Sequence, residues 1–93
     1  TAVRLNINLL VVVCNDSAYG AEYIQFKDRQ MSPALSQFDW PSFAEIATSL
    51  GGTGFKITSN KDLDFAFKQL NGLNGPVLFE LCLDPEEIPR MKL

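Results

Sequence analysis

The 93-residue chain contains no histidine, and this absence removes several kinds of site at once. Histidine is the commonest general base near neutral pH and a frequent metal ligand. A serine–histidine triad and the usual zinc sites are therefore excluded within this chain. Cysteine is scarce too, because only Cys14 and Cys82 occur and each lies in an apolar stretch. This placement favours two small core residues in a reducing compartment over a redox pair or a disulfide.

Long apolar runs and basic clusters are also missing. The longest apolar run, residues 9–14, has six residues, whereas a membrane-spanning helix needs about 20. The chain has 8 basic and 11 acidic residues, a net charge of −3, and its few lysines and arginines are dispersed. It therefore has no electrostatic surface of the kind that binds nucleic acid. We expect neither a membrane nor a nucleic acid as a partner.

The residues that are present describe a folded globule. The chain is 46% hydrophobic and 20% charged and has seven Phe, two Tyr and one Trp, which excludes a disordered tail. Its length allows one domain. Residues 1–5 are neither a signal peptide nor a capped helix start and are typical of the last turn of a helix. Because such a short chain also buries little surface, we expect a piece of a longer protein.

Apolar spacing predicts alternating strands and helices. Residues 8–14 are rich in valine and continuously apolar after Asn8, which is typical of a strand covered on both faces of a parallel sheet. The apolar spacing i, i+3, i+4, i+7 predicts helices at 41–50 and 60–70, and a weaker stripe predicts one at 20–31. Further strands are predicted at 53–57 and 77–83, followed by an irregular tail, 84–93. This alternation of strands and helices predicts an α/β fold with three layers (α, β, α), in which a parallel sheet lies between two layers of helices.

Ligands of such sheets gather where a strand ends and the chain enters the next helix. Three junctions qualify, at residues 15–20, 58–60 and 84–86, and the first is the richest. The amide oxygen of Asn15 and the carbonyls of the next turn are hard oxygen ligands suited to Mg²⁺, and Gly20 begins a helix whose amides can receive an anion. Residue types alone nevertheless favour a plain turn that caps a helix.

The other candidates favour structural roles. Nothing in the chain forms a nucleophile–base pair, so no residue is predicted to be catalytic. The glycine-rich stretch 51–54 lacks the ending of a phosphate loop and predicts a helix stop. The remaining predictions are a solvated helix face for Glu22 and Asp28, an edge-facing or salt-bridged structural contact for Glu80, and core packing rather than a pocket wall for Phe38, Trp40 and Phe43.

Four segments, at residues 6–20, 39–52, 75–81 and 84–91, together resemble the acetolactate synthase-like thiamine-diphosphate enzymes. Residues 6–20 resemble the second half of the cofactor signature, an apolar strand ending in Asn-Asn or Asn-Asp that follows an earlier Gly-Asp-Gly. Residues 39–52 resemble the family's Asp…Phe-Ala…Gly helix, and residues 75–81 and 84–91 its last strand and tail. The resemblance covers essentially the whole chain. It implies that residues 1–93 are one partial domain, an incomplete thiamine-diphosphate-binding fold of the order β-α-β-α-β plus a C-terminal tail.

The resemblance also implies roles for consecutive residues at the first junction. Asn15 would bind Mg²⁺ through its side chain and Ser17 through its backbone carbonyl. The residues implied to surround the diphosphate and the helix entry are Asp16, Ser17, Ala18, Tyr19 and Gly20. Within the following helix, the residues implied to lie nearest the cofactor are Ala21, Glu22 and Ile24. The Gly-Asp-Gly half and the glutamate that activates the aminopyrimidine are absent from this chain.

The resulting hypothesis is a part of a cytoplasmic, homo-oligomeric enzyme that uses thiamine diphosphate and Mg²⁺ to decarboxylate or ligate 2-oxo acids. The N-terminal domains would be supplied by other sequence, and the 93 residues alone would be inactive. The alternative is a stand-alone, non-catalytic α/β module for regulation or oligomerisation, derived from the same fold. A flavodoxin-like or receiver-like domain is disfavoured by too few strands and by the lack of clustered phosphoacceptor acids.

Overall fold

The computed structural model describes residues 1–87, and within them the chain alternates between strands and helices. Every strand and helix that the sequence predicts is present, with ends that differ by a few residues. The strands are β1 (Leu10–Asn15), β2 (Thr53–Ile57) and β3 (Val77–Cys82), and the α-helices are α1 (Gly20–Asp28), α2 (Phe43–Ser49) and α3 (Asn60–Leu70). Part of the predicted irregular tail forms a 3₁₀ turn, Pro85–Glu87, and residues 88–93 lie outside the described residues.

The three described strands form one parallel sheet in the order β1-β3-β2. β2 and β3 pair in parallel from Thr53 opposite Val77 to Ile57 opposite Leu81. On the other side, the Val77 N–H donates to the Leu9 carbonyl and the Leu83 N–H to the Asn15 carbonyl, each at 2.8 Å. The donor moves from Val77 to Leu83 while the acceptor moves from Leu9 to Asn15. Both residue numbers therefore increase in the same direction, so β1 also runs parallel to β3. The predicted α/β class with a parallel sheet is therefore confirmed.

The described residues divide into two compact units. The first comprises Thr1–Cys14 and Pro41–Cys82, and the second comprises Asn15–Trp40 together with the chain from Leu83 onward. The first unit contains α2, α3 and almost the whole sheet. The second contains α1 and the junction that follows β1, so the predicted site belongs to the second unit.

The core of the first unit lies between α3 and the sheet. It consists of the buried side chains of Ile57, Ala66, Val77 and Phe79. Phe79 meets the rings of Phe55 and Phe67 edge to face, with centroids 5.8 and 5.6 Å apart. The apolar stripe predicted for residues 60–70 is therefore the packing face of α3.

Glu80 caps a helix from the middle of the sheet. Glu80 is only 1% exposed, and its carboxylate accepts hydrogen bonds from the Ser42 hydroxyl at 2.8 Å and from the Ala44 N–H at 3.0 Å. These donors lie at the N-terminus of α2, where amide groups have no partner within the helix. The predicted structural role is confirmed, but the edge location is wrong, because β3 is the central strand of the three.

Glycines fix how α2 ends and how closely it packs. Gly51 has a φ of 97°, and the Gly52 N–H donates to the Ala47 carbonyl at 3.0 Å, which is the geometry of a Schellman motif. At Gly54, a Cβ atom would overlap the backbone of Ala44. The glycine-rich stretch thus stops a helix, as predicted, and lets that helix lie directly on β2.

β1 is more exposed than its sequence predicts. Leu10, Val11 and Val12 are 41, 38 and 50% exposed, so the prediction of a strand covered on both faces is wrong for the described residues. The reason is the strand order, which puts β1 at one end of the three-stranded sheet. Cys14 is also exposed and Cys82 is half-buried, and both are free thiols. The prediction that both cysteines are core residues is therefore wrong for Cys14. Cys82 is partly buried, and this burial raises the pKa of its thiol.

Residues 1–7 form a hydrogen-bonded turn. The Leu5 N–H donates to the Thr1 carbonyl at 2.9 Å and the Ile7 N–H to the Ala2 carbonyl at 2.9 Å. Asn6 has a φ of 51°, which is typical of the left-handed residue of a Schellman motif. The described residues contain this single turn, and the prediction that it ends a helix stays a prediction. Among the helices of residues 1–87, none combines the length and the apolar character needed to cross a membrane.

Candidate functional site

The amide oxygen of Asn15 is held at the carboxyl end of β1 by two donors. Asn15 is the last residue of that strand and is half-buried. Its Oδ1 atom accepts a hydrogen bond from the Ser17 N–H at 3.0 Å and from the Trp40 Nε1–H at 2.8 Å. The first bond is an Asx turn, and together the two bonds fix the direction of the amide plane.

The residues after Asn15 form a second, overlapping turn. The Asp16 Oδ1 atom accepts a hydrogen bond from the Ala18 N–H at 3.1 Å. Ser17 between them has a φ of 57°, a left-handed conformation that a residue other than glycine adopts only under constraint. The two Asx bonds supply that constraint, so the backbone carbonyl of Ser17 has a defined orientation.

A neighbouring segment holds the outer side of this loop. The Phe38 N–H donates to the Ser17 carbonyl at 2.8 Å, and the Tyr19 N–H donates to the Ser36 carbonyl at 2.8 Å. Ala18 is buried and forms an isolated antiparallel bridge with Gln37. Loop 15–20, the site loop, is therefore supported by hydrogen bonds from residues 36–40.

Three aromatic rings contact one another in series at the site loop. Phe38 stacks on Trp40 with centroids 5.0 Å apart and planes 5° apart, and Tyr19 meets Phe38 edge-on at 4.6 Å. We call Tyr19, Phe38 and Trp40 the aromatic ladder. The prediction that Phe38, Trp40 and Phe43 pack in the core is wrong, because all three are half-buried and Trp40 bonds to the site loop. Sequence reasoning missed this contact, since 25 residues separate the two partners.

Helix α1 begins at Gly20, as predicted. Its N-cap residue, Tyr19, makes no side-chain capping bond, so the amides of the first turn receive no cap from that side chain. Glu22 and Ala21 are exposed and Ile24 is half-buried. The predicted proximity of these three residues to a cofactor stays a prediction.

α1 is anchored by polar groups, which matches its weak apolar stripe. The buried Tyr23 hydroxyl and the Lys27 ammonium both donate to Oε1 of Glu86. The hydrogen bond to Glu86 raises the pKa of Tyr23 and also raises the pKa of Lys27. Sequence reasoning missed this cluster, although Tyr23 and Lys27 are one helical turn apart and share a face.

The other two junctions are used for capping. At residues 58–60, Asp62 Oδ2 accepts from the N–H and from the hydroxyl of Thr58, at 3.0 and 2.7 Å, and these bonds lower the pKa of Asp62. The Ser59 hydroxyl accepts from the Asp62 N–H at 3.2 Å. At residues 84–86, Asp84 Oδ1 accepts from the Glu86 N–H at 2.9 Å. Within residues 1–87, no three His, Cys, Asp or Glu side chains form a metal cluster.

The donor set of the site loop fits a divalent cation bound to a diphosphate. Asn15 Oδ1 and the Ser17 carbonyl are neutral, hard oxygens with fixed orientations, and Mg²⁺ prefers such oxygens together with phosphate oxygens and water. An sp² oxygen accepts two partners, so the Ser17 carbonyl has capacity for a cation beside the Phe38 amide. The N-terminal amides of α1 follow directly and favour an anion. The residue types therefore fit this chemistry, although Asn15 Oδ1 already accepts two hydrogen bonds and would have to lose one of them to bind a cation.

Comparison with known proteins agrees with the resemblance found in the sequence. A family model described as "Thiamine pyrophosphate enzyme, C-terminal TPP binding domain" matches residues 1–81. The chain is 26% identical over 89 residues to the catabolic acetolactate synthase of Raoultella terrigena, covering 96% of this chain and 16% of that protein. It is 29% identical over 84 residues to the acetolactate synthase of Bacillus subtilis (strain 168), covering 90% of this chain and 15% of that protein. The chain thus spans only about one-sixth of the length of these curated relatives.

Proposed function

The chain belongs to the thiamine pyrophosphate enzyme family, within its C-terminal TPP binding domain, and from this premise we propose that the site loop binds the Mg²⁺–diphosphate end of thiamine diphosphate. Asn15 Oδ1 and the Ser17 carbonyl would hold the cation. Asp16, Ala18, Tyr19 and Gly20 would surround the diphosphate, and the first amides of α1 would face it. The observation that carries the proposal is the pair of oriented oxygens at the carboxyl end of β1.

The constraint on these oxygens has a chemical purpose. Mg²⁺ demands a nearly octahedral arrangement at short distances and tolerates little displacement of its ligands. The Asx turn of Asn15 and the left-handed Ser17 set the two oxygens before the ion arrives. Little conformational entropy is then lost on binding, which is the advantage of preorganisation. A fixed diphosphate in turn fixes the position of the reactive ring.

The reaction follows from the cofactor, and this chain contributes binding and orientation. When bound, thiamine diphosphate supplies the electron sink that decarboxylation of a 2-oxo acid requires. We take the substrate to be a 2-oxo acid and the outcome to be decarboxylation or carboligation, because both curated relatives are named acetolactate synthases. Within this proposal, no side chain of the site loop transfers a proton.

The proposal assigns the remaining functions to other parts of a longer, cytoplasmic, homo-oligomeric protein. Asn15 and Ser17 supply two neutral oxygens, whereas a cation on a diphosphate also needs an anionic protein ligand for tight binding. That ligand and the group that activates the cofactor would lie in sequence outside residues 1–93. We therefore expect the chain alone to be inactive.

Binding of thiamine diphosphate with Mg²⁺, measured by calorimetry on the whole protein, tests the proposal. Replacing Asn15 by Ala removes the amide oxygen, so we expect binding to fall by at least about tenfold, the effect of losing one charge-assisted contact of about 1.5–3 kcal/mol. Asn15→Asp keeps an acceptor for the Ser17 N–H and presents a carboxylate, so we expect it to retain binding. Ser49→Ala removes a hydroxyl bond within α2 and serves as the control.

Two outcomes would contradict the proposal. Unchanged affinity in the folded Asn15→Ala protein would show that the cation is held elsewhere. No binding by the unmodified whole protein would favour the alternative of a non-catalytic module that kept the fold and lost the cofactor.

A further inference from the structure

We propose that Trp40 competes with the cation for Asn15, so that cofactor binding releases the Trp40 indole from the site loop. This inference rests on the proposed function, because it assigns Mg²⁺ to the amide oxygen of Asn15. In the structure, the Trp40 Nε1–H donates to Asn15 Oδ1 at 2.8 Å. It does so at the oxygen that would bind the cation.

The conflict arises from the acceptor capacity of one oxygen atom. An amide oxygen has two lone pairs, and Asn15 Oδ1 already accepts from the Ser17 N–H and from Trp40. A Mg²⁺ ion would approach this oxygen to about 2.0–2.1 Å. The hydrogen of an N–H donor carries partial positive charge and repels a cation at that distance. One of the two donors must therefore leave when the ion binds.

The Trp40 bond is the one that can open. The Ser17 N–H belongs to the backbone two residues from Asn15 and forms the Asx turn that supports the left-handed Ser17. Opening that bond would distort the loop and move the second ligand oxygen as well. The Trp40 bond to Asn15 is made by a side chain, and rotation of that side chain requires no change in the backbone of the site loop.

One segment touches both oxygens assigned to the cation. The Phe38 N–H donates to the Ser17 carbonyl and Trp40 donates to Asn15 Oδ1, and their rings stack face to face. Before the ion binds, these donors occupy one acceptor position on each of the two oxygens. If Trp40 leaves when the cation binds, the packing of the aromatic ladder depends on whether the cation site is filled. The Trp40 side chain then reports cofactor binding.

Fluorine NMR of the whole protein labelled with 5-fluorotryptophan tests this inference. The Trp40 resonance is identified by its loss in Trp40→Phe. We expect it to shift on titration with thiamine diphosphate plus Mg²⁺, in proportion to the saturation measured by calorimetry. Thiamine diphosphate with a chelator and no Mg²⁺ should leave the resonance in place.

The affinity of Trp40→Phe provides a second, independent measurement. Phenylalanine keeps an aromatic ring to stack on Phe38 but has no N–H, so the competitor is removed. We expect binding of the Mg²⁺ cofactor to tighten by about two- to tenfold, the equivalent of one ordinary hydrogen bond. Thr48→Val, which removes a hydroxyl bond to Ala44 in α2, should bind as the unmodified protein does.

The outcomes separate this inference from the proposed function. Cofactor binding without a shift of the Trp40 resonance, or weaker binding by Trp40→Phe, overturns the competition and leaves the proposed function standing. Weaker binding would show that Trp40 orients Asn15 in the bound state. No cofactor binding by the unmodified protein overturns both.

Discussion

At the scale of single residues, polar side chains of this protein act mainly on backbone groups. Asn15 and Asp16 accept from amides two residues ahead, and Glu80 accepts from an amide at the start of α2. Every buried side-chain nitrogen or oxygen in the described part of the chain has a hydrogen-bond partner. A buried polar atom without a hydrogen-bond partner destabilises the folded state. The contribution of each of these side chains to stability therefore depends on the backbone group that it bonds to.

Glu80 provides a residue-scale prediction for stability. Glu80→Ala would leave the Ser42 hydroxyl and the Ala44 amide without their acceptor, and we expect the free energy of unfolding to fall by about 1–3 kcal/mol. Glu80→Gln keeps one acceptor oxygen of similar shape and should lose less. Urea unfolding of the whole protein measures both, with the exposed Glu45→Gln as control. Equal stability of Glu80→Ala and the control would show that the buried carboxylate does not support α2.

At the scale of elements, four of the six ends of the described α-helices are specified by residues close in sequence. Ser42 and Ser59 cap α2 and α3 through their hydroxyls. Gln30 and Gly51 have positive φ values and end α1 and α2 with the paired hydrogen bonds of a Schellman motif. These signals involve neighbours in sequence, which explains why the predicted and observed elements agree to within a few residues.

The N-terminus of α3 provides a pH-dependent prediction. Hydrogen bonds from Thr58 lower the pKa of Asp62 in the folded state. A depressed carboxyl pKa gives stability that is present above the unfolded-state pKa and is lost as the pH falls through the folded-state pKa. We therefore expect Asp62→Asn to be less stable than the unmodified protein at pH 7 and the difference to vanish in acid, below the usual Asp range. Urea unfolding at a series of pH values measures this.

Asp64→Asn, on the same helix and exposed, is the matched control. A stability difference for Asp62→Asn that stayed constant from neutral pH into acid would contradict the role of the ionised carboxylate.

At the scale of the whole molecule, β1 is the element whose surroundings match its sequence least. Three of its four leucine and valine side chains are exposed, and Leu9, Ile7 and Leu5 before it are exposed as well. An end strand with an apolar surface is a template for association with other chains. In the described sheet, β1 therefore exposes an apolar surface, although its amino-acid sequence is typical of a buried strand.

This exposure predicts the behaviour of residues 1–93 expressed alone. We expect concentration-dependent association in sedimentation velocity, and Val12→Lys should reduce it by placing a charge on β1. Leu35→Lys, at an apolar residue that is 91% exposed outside the sheet, is the matched control and should change little. A monodisperse, folded chain at high concentration would support the alternative of a stand-alone module.

The sequence by itself determined the elements, their order and the parallel α/β class, because apolar period, caps and glycine stops act over a few residues. It also marked Asn15 and the five residues after it, since turn residues directly after a strand are local signals. Only the tertiary structure decided that β1 lies at the end of the described sheet, that Glu80 caps α2, and that Trp40 donates to Asn15. These contacts join residues far apart in the chain, and no local pattern encodes which distant donor reaches a given oxygen.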